Sequence, residues 1–129
     1  MHTSIETPHA PAPIGPYSQA VLAGNTLYVS GQIGIDPQTG VLHNTASIQT
    51  ETECVLRNLQ AILTAAGFTL ADVVKCSIFI RDMNDFAAIN TVYAQFFDQS
   101  KPARETVAVA GLPKDVRVEI SCIAVKPNR

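Results

Sequence analysis

Two periodicities run through the chain, one of a strand and one of a helix. Apolar residues alternate with polar or small ones over Thr26–Ile33, Val73–Ile80, Thr106–Gly111 and Val116–Val125, the pattern of half-buried strands, and Tyr17–Ala23 is a further strand candidate. The Gly24-Asn25 pair is hairpin chemistry, Asp36–Gly40 is a turn, and a Leu-Pro-Lys-Asp turn joins the last two strands. Helical spacing takes over between about Ser47 and Ala66, where Ile48, Val55, Leu59, Ile62 and Leu63 form one stripe, with Ser47 or Thr45 as cap and Gly67 as stop. Glu51, Glu53 and Arg57 read as the solvated face of that helix. A second helix, Asp85–Phe97, is capped by Asn84 or Asp82 and carries Phe86, Ile89, Tyr93 and Phe96 or Phe97 as its core stripe.

Side chains two apart in a strand share a face. Val74, Cys76, Ile78 and Ile80 are thus expected to face the helices, with Lys75, Ser77 and Phe79 on the far side. Val29, Gly31 and Ile33 oppose Tyr28, Ser30 and Gln32. Val107 and Val109 oppose Arg104, Thr106 and Ala108, and Val116, Val118 and Ile120 oppose Arg117, Glu119 and Ser121. If the apolar faces share one core, Arg104, Thr106 and Glu119 gather on the opposite side of the sheet. The order ββαβαββ predicts an α+β sandwich with both helices on one sheet face. The other face mixes Val21, Tyr28, Phe79, Ile123 and Val125 with Ser, Thr and Gln, too apolar to stay wet, and association of subunits would cover it.

At 129 residues the chain is expected to be one domain, able to bury roughly two-thirds of its unfolded surface. No apolar run approaches the ~20 residues of a membrane span. The N-terminal MHTSIETPHAPAP lacks signal-peptide character, and Pro8, Pro11, Pro13 and Pro16 make it a stiff extended arm. A cytoplasmic location follows by default, with the mitochondrion as the alternative if a presequence has been removed. Cys54, Cys76 and Cys122 have no paired spacing and read as reduced core thiols, and His2, His9 and His43 form no ligand motif, so no metal is expected. With a net charge of −2 and scattered basic residues, no stripe for phosphates exists and nucleic-acid binding is not expected.

Candidate chemistry centres on two lone charges. Arg104, just after Pro102, suits bidentate capture of a carboxylate, against the plainer reading of a surface ion pair or helix cap. Glu119 is either a functional carboxylate or a solvated strand residue paired with Arg117. Gly31 inside a strand marks a bulge or a close approach, with Ser30 beside it. Tyr17 is a pocket wall or simple packing, and Asn90 an exposed helix residue or one that faces a pocket.

Four ordered stretches carry a family resemblance: IGPYSQAV at Ile14–Val21, YVSGQI at Tyr28–Ile33, NDFAAIN at Asn84–Asn90, and PARETVAVAGLPKDVRVEISCIAV from Pro102. Over nearly its full length the chain resembles the RidA/YjgF family of enamine/imine deaminases. The resemblance implies a chorismate-mutase-like α+β fold and a homotrimer whose sheets pack into a central barrel, with three sites in the clefts between subunits. It implies hydrolysis of 2-aminoacrylate or 2-aminocrotonate to a 2-keto acid and ammonia, the 2-iminobutanoate/2-iminopropanoate deaminase reaction, with no cofactor and a small carboxylate substrate. In that frame Arg104 clamps the carboxylate and Glu119 orients water and takes its proton. Gly31 and Ser30 admit the ligand, Tyr17 walls the cleft, and Asn90 completes it. Where many deaminating members have cysteine, this chain has Thr106, whose backbone is still able to contact substrate. The alternatives are a non-catalytic trimer that binds 2-keto acids and, further off, an endoribonuclease or translation inhibitor.

Overall fold

Both helical periodicities become helices in the structure, a computed structural model that describes residues 2–127. Helix α1 spans Ile48–Ala65; the Ser47 hydroxyl caps it by accepting from the Thr50 N–H (3.1 Å), and Gly67, at φ 80°, closes it in the left-handed conformation that glycine adopts freely. Helix α2 spans Phe86–Phe97 and follows a 3-10 turn, Met83–Asp85, in which the Asp82 carboxylate accepts from the Asn84 N–H. Val55, Leu59, Ile62 and Leu63 of α1 are fully buried against the sheet, as their spacing predicts. From α2, Ile89, Tyr93 and Phe97 join them. Each such side chain contributes roughly 1.5–3 kcal/mol of burial, so the stripe decides which way each helix faces.

The strands are β1 (His2–Ile5), β2 (Ala20–Ala23), β3 (Thr26–Gln32), β4 (Val73–Ile80), β5 (Ala103–Ala108) and β6 (Val118–Val125). They form one mixed sheet in the order β1-β2-β3-β6-β4-β5, antiparallel except where β5 runs parallel to β4. The α+β arrangement with both helices on one face is as expected, and so is the open face: Tyr28 pairs with Val21 and Ile123, stands 51% exposed, and Phe79 pairs with Glu119.

Several local expectations are corrected. The N-terminal arm opens with a strand, β1, that carries no apolar alternation and is held by edge pairing with β2. The strand candidate Tyr17–Ala23 pairs only over Ala20–Ala23, so Tyr17, Ser18 and Gln19 precede β2. A bulge between Val29 and Gln32 breaks the alternation of β3, so Gln32 turns to the buried side with Val29. A second irregularity between Val73 and Lys75 puts Val73 in the core and leaves Val74 48% exposed. Glu51 is fully buried rather than solvated: it accepts from the Arg117 backbone N–H (2.9 Å) and from Arg117 Nε (2.6 Å), while Arg117 also donates to the Ala46 carbonyl. Phe86 leaves the core stripe and is 37% exposed.

The largest correction concerns β5. It is not the hairpin partner of β6, because β4 lies between them. Cys76 pairs with Arg104 and Ile78 with Thr106, so Arg104 and Thr106 rise on the helix side of the sheet, while Val107 pairs with Phe79 on the open side and is 41% exposed.

Candidate functional site

The sheet therefore carries two half-sites, one on each face. On the helix side, Arg104 stands on an edge strand beside α2. Phe86, Asn90 and Tyr93 follow one another at helical spacing on the α2 face that meets it. Arg104 Nη1 donates to Asn90 Oδ1 (2.7 Å), and the guanidinium carbon lies 4.9 Å from the Tyr93 ring centroid and 5.7 Å from that of Phe86. Among the described residues no carboxylate pairs with Arg104. An exposed guanidinium held by an amide oxygen and two rings, with its charge uncompensated, is equipped to receive an anion. A cavity of about 210 Å³ opens beside it, lined by Asn90, Tyr93, Phe97, Asp98, Lys101 and Pro102.

Thr106 is two residues further along β5. Its hydroxyl is buried on this side and has no hydrogen-bond partner among the described residues, as is the Tyr93 hydroxyl, which meets the Cys76 thiol without a well-formed hydrogen bond. What β5 presents outward at this position is backbone, because its outer edge is unpaired in the sheet.

On the open side, Glu119 of β6 lies against the bulge of β3. A Cβ added to Gly31 would fall 2.8 Å from Glu119 Cδ, so any side chain there would displace that carboxylate from its place. The expectation of a bulge or close approach at Gly31 is met by both. Burial raises the Glu119 carboxyl above the ordinary glutamate range, and no partner holds it among the described residues; Arg117 is occupied by Glu51. Ser30 secures the neighbouring segment: its hydroxyl donates to the Ser18 carbonyl (2.6 Å) and its N–H to that of Gln19 (2.9 Å). Tyr17, 48% exposed, is held by the Ile14 N–H, which donates to its hydroxyl (3.3 Å).

Gln19 is a residue that sequence reasoning missed. Buried at 2% exposure, its side-chain amide donates to the carbonyls of Thr7, Ala10 and Pro11 and accepts from the Thr7 N–H, pinning the proline-rich arm that carries Tyr17. A lone glutamine in a short motif gives no signal of that role.

Arg104, Asn90 and Thr106 thus come together, and so do Glu119, Gly31 and Ser30, but the two groups do not meet within one chain. Arg104 and Glu119 sit on strands separated by β4, three rows apart in register, so their Cα atoms are roughly 14 Å apart and their side chains leave opposite faces. The expected gathering of Arg104, Thr106 and Glu119 on one side is overturned by the parallel register of β5.

A larger cleft of about 430 Å³ lies elsewhere, where His9, Asp36, His43, Cys54 and Arg57 approach one another. Burial and the nearby Asp36 push the Cys54 thiol up to about 11, which keeps it protonated and a poor nucleophile. No group of three or more His, Cys, Asp or Glu among the described residues is placed to hold a metal ion.

Comparison with known proteins matches this architecture. The family model described as Endoribonuclease L-PSP matches residues 7–126. A protein of Dermatophagoides farinae named 2-iminobutanoate/2-iminopropanoate deaminase is 53% identical over 121 residues, covering 94% of each chain. The crystal structure of Escherichia coli TdcF with bound serine superposes with a TM-score of 0.91 at 48% identity, over 97% of this chain and 99% of that one. A Thermotoga maritima structure, provisionally assigned as an endoribonuclease, reaches a TM-score of 0.96 at 52% identity, over 99% and 100% of the two chains. The motifs, the fold and these matches together make the chain a member of the RidA/YjgF family.

Proposed function

We propose that the protein hydrolyses 2-imino acids, and the 2-amino enoic acids that tautomerise to them, to 2-keto acids and ammonia, at sites formed where copies of the chain associate as a homotrimer. The observation that carries this reading is the separation of Arg104 and Glu119: an unpaired guanidinium and an unpaired carboxylate of raised pKa, on opposite faces of one sheet. A neighbouring copy whose open face meets the Arg104 edge supplies the missing half. The names of close relatives support the same chemistry, the deaminase of Dermatophagoides farinae at 53% identity among them.

Arg104 binds the substrate carboxylate through the donors that Asn90 leaves free, which fixes the adjacent imine carbon. Glu119 takes a proton from water as the water oxygen bonds to that carbon and the C=N pair moves onto nitrogen. The same carboxyl returns that proton to nitrogen, which gives the carbinolamine; it then takes the hydroxyl proton and passes it to nitrogen as the C=O forms and the C–N bond breaks, and ammonia leaves. A carboxylate of raised pKa suits both steps, being a stronger base than an ordinary glutamate and still able to give the proton back. The imine carbon is electrophilic already, so these two side chains and water complete the reaction.

Mixing two inactive variants tests the assignment. Arg104→Ala and Glu119→Ala should each lose turnover of 2-aminoacrylate generated in situ by a dehydratase. After subunit exchange at equal amounts, about a quarter of interfacial sites regain both residues, so about a quarter of wild-type activity should return. A site confined to one chain would regain none. Keto-acid binding by the wild type with no turnover above the spontaneous rate would favour instead a protein that only binds 2-keto acids.

A further inference from the structure

Helical spacing assigns Phe86 to the core, yet its ring is 37% exposed at the first position of α2. In that place the ring meets the Arg104 guanidinium, whose carbon lies 5.7 Å from its centroid. Tyr93 approaches the same guanidinium at 4.9 Å and Asn90 binds one of its N–H groups. Both ring distances fall within the ~6 Å range of cation–π attraction. Tyr93 is fixed by the core and Asn90 by the helix, and Phe86 adds a third contact to the exposed arginine from the first turn of α2.

We infer that Phe86 is a positioning residue, which holds the exposed guanidinium of Arg104 in the plane that receives a carboxylate. The inference rests on the reading of Arg104 as the carboxylate clamp. It assigns to the start of α2 a part in binding: Asp82 caps the turn that fixes where the helix begins, the first helical residue is Phe86, and its ring keeps Arg104 ordered before the ligand arrives. Because the ring is part-exposed, its removal opens no core cavity, so binding and stability separate experimentally.

The test compares Phe86→Leu, Phe86→Tyr and wild type, each with and without Arg104→Ala, using pyruvate as the binding probe and in situ 2-aminoacrylate as substrate. Phe86→Leu, apolar without a π face, should raise the pyruvate Kd and the KM about two- to fivefold with kcat nearly unchanged, as loss of an exposed cation–π contact predicts. Phe86→Tyr should restore both. In the Arg104→Ala background Phe86→Leu should have no further effect. Wild-type affinity in Phe86→Leu, or an equal loss where Arg104 is absent, overturns the inference. A second measurement is independent of ligand: the Arg104 Nε–Hε signal in ¹⁵N NMR should move in Phe86→Leu, which leaves only the Tyr93 ring beside the guanidinium, and stay in place in Phe86→Tyr, and a signal unmoved in Phe86→Leu overturns the inference. If wild type neither binds pyruvate nor turns over the imine, the deaminase reading fails, and the NMR measurement still decides whether Phe86 orders Arg104.

Discussion

Glu119 carries the chemistry most sensitive to pH. Burial raises its carboxyl in the folded protein, so folding favours the protonated form. Its contribution to stability is therefore fully present below the unfolded glutamate value and is lost as pH rises through the folded one. Catalysis needs the opposite state: turnover should climb with pH through the raised value. Glu119→Gln should abolish turnover and, at neutral pH, raise the melting temperature relative to wild type, a difference that vanishes in acid. A melting temperature that shows no pH-dependent difference between the two proteins would mean that the carboxyl is not buried as described. At this scale the sequence was informative where a residue type is unusual for its place. Gly31 inside a strand pattern marked a bulge or a close approach, though not that Glu119 is what approaches, and Arg104 and Asn90 stood out as polar residues in small-residue or apolar settings. Gln19 and Phe86 did not stand out, because their roles depend on partners distant in sequence that no local pattern reveals.

Elements show the same limit through Glu51 and Glu53, two residues apart on α1 and read alike as solvent-facing. Glu53 makes an exposed i,i+4 pair with Arg57 (2.6 Å), worth roughly 0.3–0.5 kcal/mol. Glu51 is fully buried and anchors Arg117, 66 residues later, together with the loop around His43 and Ala46. Removing one partner of a buried pair costs about 3–5 kcal/mol, so Glu51→Ala should lower the urea midpoint sharply while Glu53→Ala barely moves it. Similar shifts for both would refute the buried pair. Helix extents and the main strands were legible because they rest on local periodicity. The irregularity at Val73–Lys75, the edge strand β1 and the parallel docking of β5 were not. A bulge breaks the alternation where it falls, as Gln32 and Val74 show, and β5 pairs across a connection that includes α2, so its register is set by packing rather than by its own alternation.

For the whole molecule, the open sheet face decides the proposed assembly. Tyr28 stands 51% exposed there, beside Val21 and Ile123, and Val107 next to Phe79 is 41% exposed. Tyr28→Glu should leave helix content by circular dichroism unchanged, reduce the sedimenting mass toward that of one chain, and lower turnover in parallel. Retention of both mass and turnover would show that subunits do not meet through this face. A sheet with its guanidinium on one side and its carboxylate on the other also makes the amount of protein a control on the chemistry. On the proposed assembly each copy alone holds half of the site, so near the concentration at which copies separate, specific activity should fall with dilution rather than stay constant. A cell that halves its supply of the chain in that range loses more than half of the reaction.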